Sequence, residues 1–515
     1  MISQALKSAG LILTVATLTA CSAKLDPLTI EQQRDERVQK LQALFESQEA
    51  VTQPLSLSDA IARALKYNTD QRVAMMEVAL ANADVGVAKM DMLPEMTASA
   101  GYVERSNVNA SSRRSVTTGE ETLESSTSQQ QYRNVADAEL VWNILDFGIS
   151  YVSAKQQSDR VLIQEEIRRK VIQNIVQEVR VAYWNAYNAQ QLGEELQALM
   201  KDVDAALLDS KFIIHRDIQA PLPVLQVEDT LLTVKYELND IREIFVTSGS
   251  ELARLMNLKP GMAYTLQPSS VERNLPDVNK TAGDLEQMAL VSRPELRQED
   301  YQLRIDKEEV RKSMLRMLPG IELEAGVFYD SNKFFQSNSW SIGGIRLTWN
   351  LLNLFQGPAY KRLAKTNVEI DDMRRLAVSM AVLTQLHVAY LRYGLAQGMY
   401  EIADNQEHVS GRISNQVTAM KDAGQSDDYK AIEARSRDIL AQLRKAEAFS
   451  ELQNAVARIQ NSIGMDPVPA TVTSHELGSL SLAIADHQQS MGNVLYDEAK
   501  PAVVDEAPKT YPLKD

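Results

Sequence analysis

The sequence repeats itself in one fixed order. Met92-Leu93-Pro94-Glu95-Met96 returns as Met317-Leu318-Pro319-Gly320-Ile321, a spacing of 319 − 94 = 225 positions. Leu140-Val141-Trp142-Asn143-Ile144-Leu145 returns as Leu347-Thr348-Trp349-Asn350-Leu351-Leu352, and Val181-Ala182-Tyr183 as Val388-Ala389-Tyr390, both at 349 − 142 = 207. Ala253-Arg254-Leu255-Met256-Asn257 is matched by Ala457-Arg458-Ile459-Gln460-Asn461, at 457 − 253 = 204. Four blocks in one order define a duplicated unit of about 200 residues, far longer than a solenoid repeat. The spacing shortens between the Leu-Pro and Trp-Asn blocks, so the first copy carries extra residues there.

A chain of 515 residues, 44% hydrophobic and 24% charged, can bury several cores and is not broadly disordered. Its net charge of −15 argues against nucleic acid and against a broad anionic-lipid surface as partner. Near the N-terminus Lys7 precedes an apolar run, Leu11 to Leu18, too short to span a bilayer and shaped like a signal peptide. The run ends in Leu18-Thr19-Ala20-Cys21, which resembles the bacterial lipobox. That resemblance implies cleavage before Cys21, lipid on its thiol and on the new amine, and, with Ser22 following, sorting to the outer membrane. An ordinary signal peptide with an incidental cysteine is the alternative. Cys21 is the only cysteine, so no intrachain disulfide competes for it. No other stretch reaches about 18 continuous apolar residues. Passage through a membrane would therefore require a closed barrel, the other structure that satisfies its own backbone in lipid.

In the first copy, Pro54-Leu55-Ser56-Leu57-Ser58-Asp59 opens a helix that Ser58 or Asp59 can cap. A second helix, from about 70 to 92, ends before Pro94, and its counterpart ends before Pro319. Strand patterns follow both prolines. Ile321, Leu323, Ala325, Val327 and Tyr329 alternate with Glu322, Glu324, Gly326 and Phe328. Met96, Ala98, Ala100 and Tyr102 repeat the pattern more weakly, and 138–143 supplies another strand. Ile345, Leu347 and Trp349 alternate with polar residues, whereas Trp340 and Ile342 have the opposite parity; the change at Gly343-Gly344 predicts a bulge or bend. Each copy thus holds a hairpin of roughly 10-residue strands, the length of a tilted membrane strand. Acids on one face and aliphatics on the other suit a wet lumen and a lipid exterior; a soluble sandwich would alternate in the same way. Ser106 to Gln131, rich in Ser, Thr and Gln, reads as a long polar loop holding the extra residues of copy one.

The helices that follow are very long. From about 147 to 211 no proline interrupts, and roughly 65 helical residues would reach about 100 Å. A heptad then runs through Val224, Leu231, Leu238, Phe245 and Leu252, with Val227, Val234, Ile241 and Leu255 between and Ser248 as the break. Copy two places Leu376, Met380, Leu383, Leu386 and Tyr390 on one long helix and Ile439, Leu443, Ala446, Val456, Ile459 and Ile463 on its return. Lys259-Pro260-Gly261 and Gly464-Met465-Asp466-Pro467 end the return helices, and the tail from about 488 reads as ordered only where it docks.

Four membrane strands cannot close a barrel, since bacterial barrels have at least about 8. Three copies would supply 3 × 4 = 12, enough for an opening, whereas two would pack shut. The ordered architecture from about Leu57 to Asp466 resembles the TolC-like outer-membrane efflux family, and the lipobox resembles its lipoprotein branch. The resemblance implies an α+β membrane protein: a homotrimer whose 12-stranded outer-membrane β-barrel stands on a periplasmic tunnel of antiparallel coiled-coil helices. It divides the chain into a signal peptide (1–20), a lipid-anchored segment (21–54), a first repeat (55–258, hairpin 95–143), an equatorial linker (259–284), a second repeat (285–466, hairpin 320–350) and an equatorial tail (467–515). It implies a passive outer-membrane outlet in a Gram-negative bacterium. The implied partners are a periplasmic adaptor, an inner-membrane RND or ABC transporter and outer-membrane lipid. Small-molecule efflux is the first reading, type I protein secretion the second, and a non-conducting coiled-coil envelope lipoprotein the third.

At the helical tips, Met420-Lys421-Asp422-Ala423-Gly424 fits the family's turn, with Gly424 able to take a positive φ. The first tip, around Asp217 and Pro221, lacks that glycine. Asp427, Asp428 and Glu433 follow Gly424; in a trimer any that faces the axis forms a ring of three charges at the constriction, although acids also suit a helix N-terminus. Met75, Met76, Met90, Met92 and Met96 read as helix packing. His215, His387, His408, His475 and His487 show no ligand spacing, so no metal is expected. There is no Walker A, Gly-x-Ser-x-Gly or His-Glu-x-x-His pattern, and no cofactor beyond the covalent lipid on Cys21 is expected.

Overall fold

A computed structural model describes residues 27–215, 221–270, 272–425, 428–469, 474 and 476–496. The expected signal peptide (1–20), Cys21, Asp217, Asp427 and the tail beyond 496 lie outside the described residues. The chain forms two compact units, Met1–Thr52 and Gln53–Asp515. The first holds α1 (Ile30–Glu46), opened by a capping box in which Thr29 and Gln32 exchange hydrogen bonds, and none of its residues is buried.

The second unit contains the duplication. Copy one runs α2 (Leu57–Tyr67), α3 (Thr69–Met90), β1 (Glu95–Glu104), β2 (Ser111–Arg114), β3 (Glu121–Ser126), β4 (Tyr132–Asn143), α4 (Ile144–His215) and α5 (Pro221–Leu255). Copy two runs α6 (Ala282–Ser292), α7 (Pro294–Leu315), β5 (Gly320–Asp330), β6 (Ser339–Thr348), α8 (Leu352–Asp422) and α9 (Asp428–Ser462), and α10 (Leu477–Tyr496) follows. Ser56, rather than Ser58 or Asp59, caps α2. A capping box needs partners three apart, and here the Asp59 N–H donates to Ser56 Oγ while the Ser56 N–H donates to the Asp59 carboxylate. Ser58 instead donates to Glu272 of the linker at 3.0 Å. Thr281 and Asp284 form the same box on α6, and 281 − 56 = 225 is the spacing of the Leu-Pro blocks.

Two very long helix pairs dominate. α4 has 72 residues and α8 has 71, so each is about 105 Å long at 1.5 Å per residue. The heptad of α5 packs as its spacing requires, with Leu231, Leu238 and Leu252 at most 2% exposed. Leu231, Val234 and Leu238 join Leu196, Leu199 and Val203 of α4 and Ile439, Leu440 and Leu443 of α9 in one core. A second core joins Leu285 and Leu296 to Leu386, Ala389, Val456 and Ile459. Thus α9 lies between its own partner α8 and the helices of copy one. No described helix is long and apolar enough to cross a membrane.

The strands form one four-stranded antiparallel sheet, β1-β4-β5-β6, and a separate pair, β2-β3. Two expectations need correcting. The polar segment 106–131 is not all loop, because β2 and β3 pair within it; its residues are polar on both faces, so a period of two left no apolar trace. There is also no bulge at Gly343-Gly344. β5 and β6 pair one for one from Gly320↔Thr348 to Tyr329↔Ser339, so the strand keeps its parity. Trp340 and Ile342 simply lie on the other face.

Candidate functional site

Cross-strand partners share a face, so the register sorts every side chain of the sheet. One face carries Met96, Ala98 and Ala100 of β1, Ala136, Ala138, Leu140 and Trp142 of β4, Ile321, Leu323, Ala325 and Val327 of β5, and Ile345 and Leu347 of β6. Tyr102, Tyr132 and Tyr329 occupy one end of this apolar face and Trp142 the other, as aromatic girdles flank the lipid band of an outer-membrane strand. The opposite face carries Glu95, Asp137, Glu139, Glu322, Glu324 and Asp330 against Arg133 and Arg346. Arg346 pairs with Glu324, and Arg133 pairs with Asp330 at 2.6 Å. Four carboxylates per chain remain in excess on that face, a surface suited to water and cations.

Among the described residues the sheet has two open edges, because β1 pairs only with β4 and β6 only with β5. Open edges are not tolerated in lipid, so other chains must complete the sheet. The helices show the same incompleteness. Leu391, Leu395, Met399, Ile402, Val409 and Ile413 lie exposed along α8 at helical spacing, with Leu395 71% exposed. Leu232, Tyr236 and Val246 are exposed on α5. An apolar stripe of this length on a single chain marks an interaction surface. The methionines of α3 also lack a cover within the chain: Met75, Met76 and Met90 are exposed, on the same helix as the exposed Val73, Leu80 and Val87.

At the tip, Gly424 takes φ 71°. The Gln425 N–H donates to the Met420 carbonyl and the Gly424 N–H to Lys421, the paired bonds that close a helix with a left-handed residue. Pro221 stands as the first residue of α5, where its missing N–H costs nothing. Asp428 begins α9. Glu433 lies one turn further along and pairs with Arg437 at 2.7 Å, so its charge is balanced on its own helix. Ion pairs fasten α9 to its neighbours above this point: Arg435 to Asp202, Arg444 to Glu237, and Lys445 to Asp404 and Glu407.

The sequence profile of the outer membrane efflux protein family matches residues 60–257 and 285–465, most of the chain and both copies. The chain belongs to that family. It is an outer-membrane efflux channel protein and not an enzyme. Solved structures agree on the fold. The outer-membrane channel OprN is 18% identical with a TM-score of 0.60, over 82% of this chain and 95% of that one. The CmeC outer membrane channel of Campylobacter jejuni is 15% identical with a TM-score of 0.61, over 82% and 91%. The open-state MtrE outer membrane channel of Neisseria gonorrhoeae is 14% identical with a TM-score of 0.60, over 82% and 96%. Comparison with curated protein sequences gives no match.

In this efflux-family chain, two groups of polar residues escaped the sequence reading. His408 is not isolated: Asp404, Glu407 and His408 stand at helical spacing on α8 with ligand atoms within 4.8 Å. The Lys445 ammonium already sits 2.7 Å from Asp404 and 3.3 Å from Glu407. Its hydrogen bond holds the Asp404 carboxyl below the usual range, so the group is an ion-pair cluster between α8 and α9. The second group joins the repeats. Arg169 of α4 pairs with Asp466 and Glu166 and donates to the Ser292 and Gly464 carbonyls. The i,i+3,i+4 spacing of 404, 407 and 408 was a visible signal for the first; nothing local signals the second.

Proposed function

We propose that three copies of this chain assemble into the outlet of a tripartite export system, passing small molecules delivered by a periplasmic adaptor and an inner-membrane RND or ABC transporter. The observation that carries this reading is the coincidence of two unfinished surfaces: a four-stranded sheet with an apolar face and two open edges, and an apolar stripe along α8 left exposed in the single chain. Three sheets edge to edge make a 12-stranded barrel (3 × 4) with the apolar face to lipid and the acidic face to the lumen. The same operation sets the stripe of α8 against α5 of the next copy and closes a tunnel of long helices in the periplasm. The apolar-out, acid-in sheet favours a conduit over a non-conducting scaffold.

In the same reading, lipid on Cys21 anchors the mature N-terminus and places the chain in the lipoprotein branch of its family. Several acyl chains give stable anchoring where one does not. At the tip, Asp427, Asp428 or Glu433 lines the constriction and favours cations. The internal pairing of Glu433 with Arg437 directs attention to the two aspartates. Purified protein in planar bilayers tests the reading. It should give small, cation-selective currents, with selectivity or cation block reduced when Asp427, Asp428 and Glu433 are all changed to Ala. Normal membrane insertion with no current would defeat the conduit, and unchanged selectivity and block in the triple variant would remove the acids from the constriction. Radioactive palmitate that still labels Cys21→Ala would exclude the anchor.

A further inference from the structure

On the acidic face of the sheet one row brings two aromatic rings together with a carboxylate. Ser99, Asp137, Phe328 and Trp340 stand directly opposite one another across β1, β4, β5 and β6. The row lies near the end where segments 105–131 and 331–338 connect the strands, away from the helices. The Phe328 ring lies over Gly326 so closely that a Cβ at that glycine would meet its edge at 2.8 Å. Trp340 stacks beside it with its ring nearly parallel, centroids 5.9 Å apart and planes 13° apart. Phe335, from the 331–338 turn, reaches back to meet Trp340 edge-on, at 5.9 Å and 86°. The result is an aromatic floor with an aromatic wall. It is open, with Trp340 39% and Phe335 42% exposed. Asp137 flanks the floor, hydrogen-bonded by Ser99, and Glu139 is opposite Gly326 in the next row.

We propose that Phe328, Trp340 and Phe335, with Asp137 and Glu139, form a transit site for aromatic organic cations on the lumenal wall near the outer mouth. The inference rests on the channel reading, which makes this face the lumen. The lipid-facing aromatics of the sheet, Tyr102, Tyr132 and Tyr329, occupy the other face, so a membrane girdle does not account for this cluster. A flat π-surface attracts a cation over its face, and the adjacent carboxylates supply complementary charge while repelling anions. Three such platforms, one per chain, would ring the exit and hold departing cargo briefly at the outer end.

The test uses single trimers in planar bilayers, with potassium chloride current as the carrier signal and tetraphenylphosphonium added on the side of the strand-connecting loops. The expected result is reversible block at concentrations at least tenfold below those at which tetraethylammonium acts, with tetraphenylborate much weaker. Trp340→Leu and Phe328→Leu, which keep apolar bulk but lose the ring, should raise the half-blocking concentration about threefold to tenfold, a span set by cation–π strength. Asp137→Asn should raise it as well, and unblocked current should not change in the two ring variants. Phe335→Leu, in the turn, serves if a strand variant fails to insert. Equal block by tetraphenylborate, or unchanged half-blocking concentrations in the ring variants, would overturn the transit site and leave the channel standing. Absence of any salt current would instead defeat the channel reading and the site with it.

Discussion

Arg169 and Asp466 form an ion pair across 297 positions of sequence, and the same guanidinium donates to the Gly464 carbonyl at 2.7 Å. One side chain of the first repeat thereby closes the last long helix of the second. Gly464 itself takes φ 72°, and a Cβ there would lie 2.6 Å from the Ser292 carbonyl oxygen. The helix end, the α6–α7 corner and α4 therefore meet at one point where only glycine fits.

Gly464→Ala should destabilise the protein by at least about 1–2 kcal/mol from the left-handed backbone alone, with the Ser292 clash added. Arg169→Ala should cost about 2 kcal/mol through lost charge-assisted hydrogen bonds, moderated because Arg297 still pairs with Glu166. Gly193→Ala is the control: it is helical with open space around the new Cβ, and should be neutral or mildly stabilising. Urea unfolding followed by helical circular dichroism ranks the three; an unchanged midpoint for Gly464→Ala would contradict this description of the corner.

A pH dependence follows from Asp371 on α8. It is 2% exposed, and burial, together with the neighbouring Asp306 carboxyl, pushes its carboxyl up to about 7, with Glu299 adding and Arg374 opposing. A folded value above the unfolded one means that the native state holds the extra proton. Stability is therefore fully present below the usual carboxylate range, near 4, and declines as pH rises toward about 7. Asp371→Asn should flatten that decline and raise the unfolding temperature at pH 8 relative to the unaltered protein. Identical slopes for both proteins between pH 5 and 8 would show that Asp371 titrates normally.

Much of this architecture was legible because the repeated residues serve local backbone needs. Pro94 and Pro319 end helices. Asn257 and Gly464 take positive φ where the return helices stop, 464 − 257 = 207 apart like the Trp-Asn blocks, whereas the sequence match sets Asn257 against Asn461. Such roles leave marks at fixed positions even where surrounding side chains have drifted. The heptad of α5 was legible because its core is nearly all apolar; the break at Ser248 is itself buried, its hydroxyl satisfied by the Phe245 carbonyl. The faces of Trp340 and Ile342 were misread because strand parity depends on a partner strand, and two glycines looked like a bend. The Arg169 clasp was invisible because its partners beyond its own helix come from two distant segments, at Ser292 and at Gly464–Asp466. Of the candidate tip, Gly424 was legible from its type alone, whereas the Glu433–Arg437 pair needed the helix to be built first.

Among the described strands β2 and β3 pair only with each other, but the base of the segment is tied to the rest of the sheet. Asn332, 1% exposed, donates to the Ser128 carbonyl, and Gln130 bonds to Asn332 and Lys333. Deleting 109–126 should therefore leave heat-resistant oligomers intact, whereas Asn332→Ala should lower their melting temperature through about 1–3 kcal/mol of lost buried hydrogen bonding. Gel mobility of heated and unheated samples reads both. Loss of the oligomer on deletion would mean that the hairpin is part of the assembly.

The exposed stripe on α8 carries the sharpest mutational test of assembly. Leu395→Glu places a charge where the account requires an apolar seam, while the single-chain core, built on Leu386, Ala389 and Val456, is untouched. The variant should fold with unchanged helical content and lose its oligomer. Retention of the oligomer would assign the stripe to another surface.

In the proposed assembly three chains complete one barrel and one tunnel. Native mass spectrometry of the mature protein released from detergent measures the number of chains directly. A trimer is expected as the dominant species, reduced to monomers by Leu395→Glu. A monomer or dimer as the dominant species of the unaltered protein would contradict that assembly.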